Sequence, residues 1–281
     1  MLQILFHAFL LAAAAAFPTM QTVIHTGNSN VPPDADVFQE EEEHEIELDP
    51  AQETPVIIYD LAGGFRMPDP VGFEREPALA IYTDGRVVAG RTSAESGRGE
   101  WQIDEAHVKS LLEFAINEQD FLSLSSDSIN AALDAVPNRL RIADAPSNTF
   151  TLNLGGNVHT VIVNALSHEA SQHPDIEELG RLVAIENRLK KIRTRAWLGA
   201  DEDAAELVNQ VNDEFERQYS GVGEFTLEDI LYAYRRADGV LQCSFSATFE
   251  SEDGKSRKFS AGFEASEGGA PVISFHEIPA R

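Results

Sequence analysis

Two reversals constrain the chain more than any other feature. Thr83-Asp84-Gly85-Arg86 and Gly155-Gly156-Asn157 each stand between apolar runs, and Asp-Gly and Gly-Gly pairs supply the φ > 0 geometry that a tight hairpin needs. They predict a hairpin over Ala78–Gly90 and a second in which Phe150, Leu152 and Leu154 alternate inward and Val158–Ala165 returns antiparallel. Val56–Leu61 reads as a buried strand and Leu140–Ala143 as a short one. Ile103 precedes an Asp104 N-cap, with Val108 placed to close a hydrophobic staple. Val108, Leu111, Leu112, Ala115 and Ile116 then share one helical stripe. A second helix is expected from near Pro174, with Asp175, Glu177 and Glu178 at its start. Arg188, Lys190, Lys191, Arg193 and Arg195 crowd its end, so each sign matches the macrodipole. Strand, hairpin and helix, repeated once, give an α+β unit over residues 55–195.

A second α+β unit is expected over residues 200–281. Ala204, Leu207, Val208, Val211 and Phe215 form an amphipathic helix introduced by Asp201 or Asp203. Phe225 and Thr226 then suggest a staple and cap for a short helix through Arg236; a strand over Ile230–Arg236, turning at Asp238-Gly239, competes with it. Helix is the preferred reading. Leu241, Cys243, Phe245, Ala247 and Phe249 line one face of a strand that turns at Asp253-Gly254. Phe259, Ala261 and Phe263 line the next strand, and Ile273 and Phe275 the last. Cys243 belongs to an apolar face, which predicts a buried, inert thiol. As the sole cysteine it allows no intramolecular disulfide.

Residues 1–21 read as a signal peptide: Leu2–Phe17 is apolar apart from Gln3 and His7, too short for a membrane span, and ends in small residues. No Lys or Arg precedes Arg66, so the usual positive flank is missing. Residues 22–54 read as an acidic flexible linker. Asp34, Asp36, Glu40–Glu43, Glu45, Glu47, Asp49 and Glu53 have no basic partner there, and Pro32, Pro33 and Pro50 interrupt regular structure. With 47 acidic against 21 basic residues and a net charge of −26, nucleic-acid backbones and anionic lipid are poor partners.

The run Gly63-Gly64-Phe65, the hairpin ending Tyr82-Thr-Asp-Gly-Arg86, and Ile142-Ala-Asp-Ala-Pro-Ser-Asn-Thr149 before the second hairpin resemble a group of uncharacterised bacterial exported proteins. These carry a Gly-Gly-Phe segment, a Tyr-x-Asp-Gly-Arg hairpin and a later Asp-Ala-Pro turn. The resemblance covers residues 55–166 and implies export and the extent of the first unit; it brings no activity with it.

Signatures of covalent and cofactor chemistry are absent. The chain has no G-x-S-x-G elbow and no phosphate-binding P-loop, and Gly221-Val-Gly223-Glu-Phe-Thr lacks the third glycine of a dinucleotide fingerprint, so no cofactor is expected. His168-Glu169-Ala-Ser-Gln-His173 approaches a zinc-helix motif but carries one residue too many. Histidines at i and i+5 on a helix diverge by about 140°, and the segment reads as loop. With His159 from the preceding strand, three histidines and Glu169 define a metal-assisted hydrolase as the alternative function. The leading expectation is different: a non-catalytic binding or assembly module of the bacterial envelope, periplasmic or extracellular, taking a protein, a peptide or a small anionic ligand. Its candidate site is the loop 62–76, where Gly63, Gly64 and Phe65 with Arg66 and Arg75 combine exposed amides, an aromatic face and guanidinium groups.

Overall fold

Residues 46–64, 69–250 and 256–279 are described by the computed structural model. The signal-like segment, the acidic stretch up to residue 45, Phe65, Arg66 and the Asp253-Gly254 turn lie outside them. The protein is α+β, and its strands form two antiparallel sheets. The first contains β1 (Ile57–Gly63), β2 (Leu79–Ile81), β3 (Arg86–Ala89), β4 (Gly99–Gln102), β5 (Pro146–Leu154) and β6 (Asn157–Asn164), in the order β4-β3-β2-β1-β5-β6. The second is a meander, β7 (Ile230–Arg235), β8 (Leu241–Glu250), β9 (Ser256–Ala265) and β10 (Val272–Ile278), in the order β10-β9-β8-β7. Helices α1 (Glu105–Glu113), α2 (Ser126–Asp134), α3 (Leu166–Gln172), α4 (Glu177–Leu198) and α5 (Asp201–Gln218) accompany them.

Both hairpins form where the turn residues require them. In the first, the Tyr82 amide donates to the Arg86 carbonyl at 2.9 Å, and Gly85 sits at φ +83°. A Cβ there would stand 1.9 Å from the Ile103 carbonyl oxygen, so backbone angle and close approach both demand glycine. In the second, Leu154 pairs with Asn157 across Gly155 and Gly156, at φ +57° and +88°, the double positive φ of a two-residue turn. The Asp104 carboxylate caps α1 by accepting from the His107 amide at 2.8 Å, and the flanking Ile103 and Val108 are both buried.

Four local expectations are corrected. Leu140–Ala143 is not a strand: Leu140 and Ile142 are exposed, and the flanking Arg139 and Arg141 both reach Asp134, holding the segment outside the ladder. Residues 227–236 are not a helix. Thr226 and Asp229 close a capping box over a single turn, Leu227–Asp229, and the chain then enters β7, because Ala233 pairs in register with the buried Cys243 of β8. The segment around His168 is helical (α3), with His173 as its C-cap. The N-cap of α4 is Ile176, and that of α5 is Ala200 rather than an aspartate. Two elements had no counterpart in the sequence reading, β4 and α2; the latter is capped by Ser125, which accepts from the Ser128 amide at 3.0 Å.

Burial joins the two sheets. Their buried side chains belong to one contiguous cluster, and α4 touches β3, β4 and β7. The segment before β4 is hydrogen-bonded to the end of β7, through Gly97 N to Arg235 O at 2.6 Å and Ala237 N to Glu95 O at 2.9 Å. Phe215 of α5 is fully buried at the centre of the second sheet's aromatic packing. Its ring lies 5.0 to 5.5 Å from those of Tyr219, Phe225, Phe249, Phe259 and Phe275. Residues 46–54, placed in the acidic linker by composition, lie against this body: Ile46 and Leu48 pack on the core, and the Gln52 side chain donates to the Asn153 carbonyl at 3.1 Å.

Candidate functional site

Among the described residues two carboxylates are buried: Glu186, which donors from several elements reach, and Glu169, which one arginine grips. Glu186, on α4 and 2% exposed, accepts at Oε1 from the Tyr59 hydroxyl of β1 (2.7 Å), Asn148 Nδ2 of β5 (2.6 Å) and Lys190 Nζ one helical turn on (2.9 Å). The Ser167 hydroxyl of α3 approaches Oε2 at 3.4 Å. Burial first, and then the hydrogen bond to Glu186, push the Tyr59 phenol well above its ordinary range. Glu169, on α3 and 1% exposed, receives a two-point grip from Arg139, Nη2 to Oε1 at 2.8 Å and Nε to Oε2 at 3.1 Å. That hydrogen bond raises the Arg139 guanidinium further above its normal value. The Glu186 cluster ties α4 to β1 and β5, and the Glu169 cluster ties α3 to the segment after α2. A recess lined by Ile57, Phe121, Phe150, Ile185 and Leu189 measures only about 20 Å³, room for about one water molecule.

The metal-site residues are not brought to one point. His159 Nε2 contacts the Leu124 carbonyl at 2.9 Å, and its ring stands edge-on to Phe121. Glu169 faces Arg139, with His173 Nε2 3.6 Å from the Oε2 that Arg139 Nε also reaches. His168 is half-buried on α3. Among the described residues no group of three or more His, Cys, Asp and Glu is arranged to hold a metal ion. Cys243 is buried on the inner face of β8, and burial pushes its thiol up to about 12.

The loop expected over 62–76 starts later, because Ala62 and Gly63 pair with Ser147 and Pro146 as the end of β1; Gly63 and Gly64 both adopt positive φ, and the Cα hydrogen of Gly64 faces the Asp144 carbonyl and Pro146. Arg75 turns inward. It pairs with Asp60 Oδ1 at 2.9 Å and also donates to the Leu61 carbonyl, beyond the end of the β1–β2 ladder. Asp60 Oδ1 accepts from the Ala78 amide at 3.2 Å as well. Arg75 therefore holds its own loop against the part of β1 that extends past β2. The Phe73 ring lies 5.2 Å from the Arg91 guanidinium carbon.

A groove of about 670 Å³ escaped the sequence reading. It lies between α5 and the start of β10, lined by Gln210, Asp213, Glu214 and Arg217 on one side and Pro271, Val272 and Ile273 on the other. The helix residues follow the i, i+3, i+4, i+7 pattern of a single face. Helix α5 carries seven acidic residues and one basic residue, Arg217, which pairs with Glu214. That asymmetry was visible in the sequence; the position of the last strand at a sheet edge was not. No described helix is long and apolar enough to cross a membrane. Compared with protein-family models, with curated proteins and with solved structures, the chain matches none.

Proposed function

We propose that the protein is an exported, non-catalytic binding or assembly module of the bacterial envelope. One observation supports this most directly: the carboxylates that burial would make chemically special, Glu169 and Glu186, are engaged by Arg139, Tyr59, Asn148 and Lys190 rather than turned toward a cleft. The groove beside β10 is open surface, suited to a partner more than to enclosing a reaction. The signal-like Leu2–Phe17 and the resemblance to exported proteins motivate the location.

The test is to express the full chain with a C-terminal tag in a bacterium, fractionate the cells, and determine the mature N-terminus by mass spectrometry. In-cell cross-linking then reports its neighbours. A processed chain in the envelope fraction, cross-linked to one reproducible partner, is expected. An unprocessed cytosolic chain defeats the location. A several-degree thermal shift with Zn²⁺ or Mn²⁺ that disappears in His168→Ala replaces the binding reading with the metal-assisted hydrolase.

A further inference from the structure

The two sheets present four edges, and three of them are blunted. Strand β4 is four residues long, with the Trp101 indole donating to Asp201 at the start of α5. On β6, the outward Ile162 amide donates to the Ser126 hydroxyl at 2.8 Å, and α2 packs beside it. In β7, Ile230 and Tyr232 oppose adjacent residues of β8, which makes Leu231 a bulge, and the strand's far end is bonded to Glu95 and Gly97. Short strands, bulges and covering segments are the usual protections of a sheet edge.

Among the described residues strand β10 has none of these. It is seven residues long, in register with β9 from Val272 to Ile278, and among the described residues β9 is its sole strand partner. Val272, at its start, is 69% exposed. Phe275 anchors the strand beneath α5 through Phe215, with ring centroids 5.1 Å apart, while the face of α5 carrying Gln210, Asp213, Glu214 and Arg217 borders the groove beside β10. A strand added along β10 would satisfy the edge backbone and send alternate side chains toward that acidic face.

We propose that the β10 edge and the α5 groove dock an extended segment of another protein, added as a fifth strand and carrying Lys or Arg at alternating positions. Charge selects this occupant. In the groove wall Arg217 is paired with Glu214, which leaves the exposed Asp213 as the charge there without a basic partner among the described residues, on a helix with seven acids and one base. The chain's own acidic segment, residues 34–53, has the wrong sign. This inference rests on the binding reading above and names the partner's chemistry.

The test uses the full chain and an alternating lysine–valine peptide, with an alternating glutamate–valine peptide and a peptide of equal composition with contiguous lysines as comparisons. Binding is followed by fluorescence anisotropy, and backbone protection by hydrogen exchange. The alternating basic peptide is expected to bind best and to slow exchange across residues 272–278. The pair Asp213→Lys and Glu214→Lys is expected to weaken binding about tenfold. Asp127→Lys with Glu177→Lys, the same change in net charge on exposed residues elsewhere, is expected to leave it within about twofold. Val272→Lys, a gatekeeper on the edge itself, is expected to weaken it too. Thermal unfolding confirms that each variant is folded. Equal losses in the two charge-reversed pairs, no protection of β10, or equal binding of the contiguous-lysine peptide overturns the proposal. Should no peptide bind while envelope cross-linking still yields a partner at another surface, the edge assignment fails and the binding module stands.

Discussion

Replacing Glu186 by alanine probes the polar junction of β1, β5, α3 and α4. Three donors converge on Oε1, from Tyr59, Asn148 and Lys190, and Ser167 reaches Oε2. Lys190 is 44% exposed, so its ammonium turns to water and its pairing is worth about 0–1 kcal/mol. Tyr59 and Asn148 are buried and keep only their mutual contact at 3.3 Å. Each donor left short of a partner costs about 1–3 kcal/mol, and the vacated side chain adds a void. The expected loss for Glu186→Ala is therefore about 3–5 kcal/mol. Glu186→Gln retains one acceptor oxygen and is expected to lose about 1–2 kcal/mol. In the double variant Glu186→Leu with Tyr59→Phe, donor and acceptor disappear together. Its loss should fall below the sum of the single losses by about 1–2 kcal/mol. Urea unfolding at neutral pH measures this as a shift in midpoint at constant slope. A loss below about 1 kcal/mol for Glu186→Ala, or equal losses for the Ala and Gln variants, would refute the claim that these donors depend on the carboxylate.

Two further outcomes follow from buried groups of the same core. The Tyr59 phenol is held above its ordinary value of 10.0 by burial and then by Glu186, so folding favours its protonated form. That stability is complete below the ordinary value and is lost as pH rises above it; Tyr59→Phe should flatten the alkaline decline measured by denaturant titration, and an unchanged decline contradicts the assignment. The Cys243 thiol, pushed by burial from 9.0 up to about 12, should resist iodoacetamide at mildly alkaline pH until the protein is unfolded; rapid alkylation of the native chain would place it at the surface.

Local chemistry made much of the fold legible. Asp84-Gly85 and Gly155-Gly156 determine reversals through backbone angle alone, and the Asp104 cap acts within one helical turn. The apolar stripes of α1 and α5, and the alternation on β8 and β9, each identify a buried face because their periods differ. The failures are non-local. Ile230–Arg235 carries apolar residues compatible with helix or strand, and pairing with β8 decides between them. Leu140 and Ile142 look like strand residues, yet the ion pairs of Arg139 and Arg141 hold them at the surface.

The candidate sites divide along the same line. Arg75 is a plausible ligand-binding guanidinium in sequence, and only folding brings Asp60 and the Leu61 carbonyl, fifteen and fourteen residues away, within its reach. Glu186 sits in a helix crowded with charge, where nothing marks it as buried; its partners lie 38 and 127 residues away in β5 and β1. The sequence by itself determined the turns, the caps, the apolar faces and the acidity of α5, since each depends on neighbours within a few residues. Which strand lies at a sheet edge, and which carboxylates were enclosed, was decided by tertiary structure, because edge position and burial are properties of segments meeting in space.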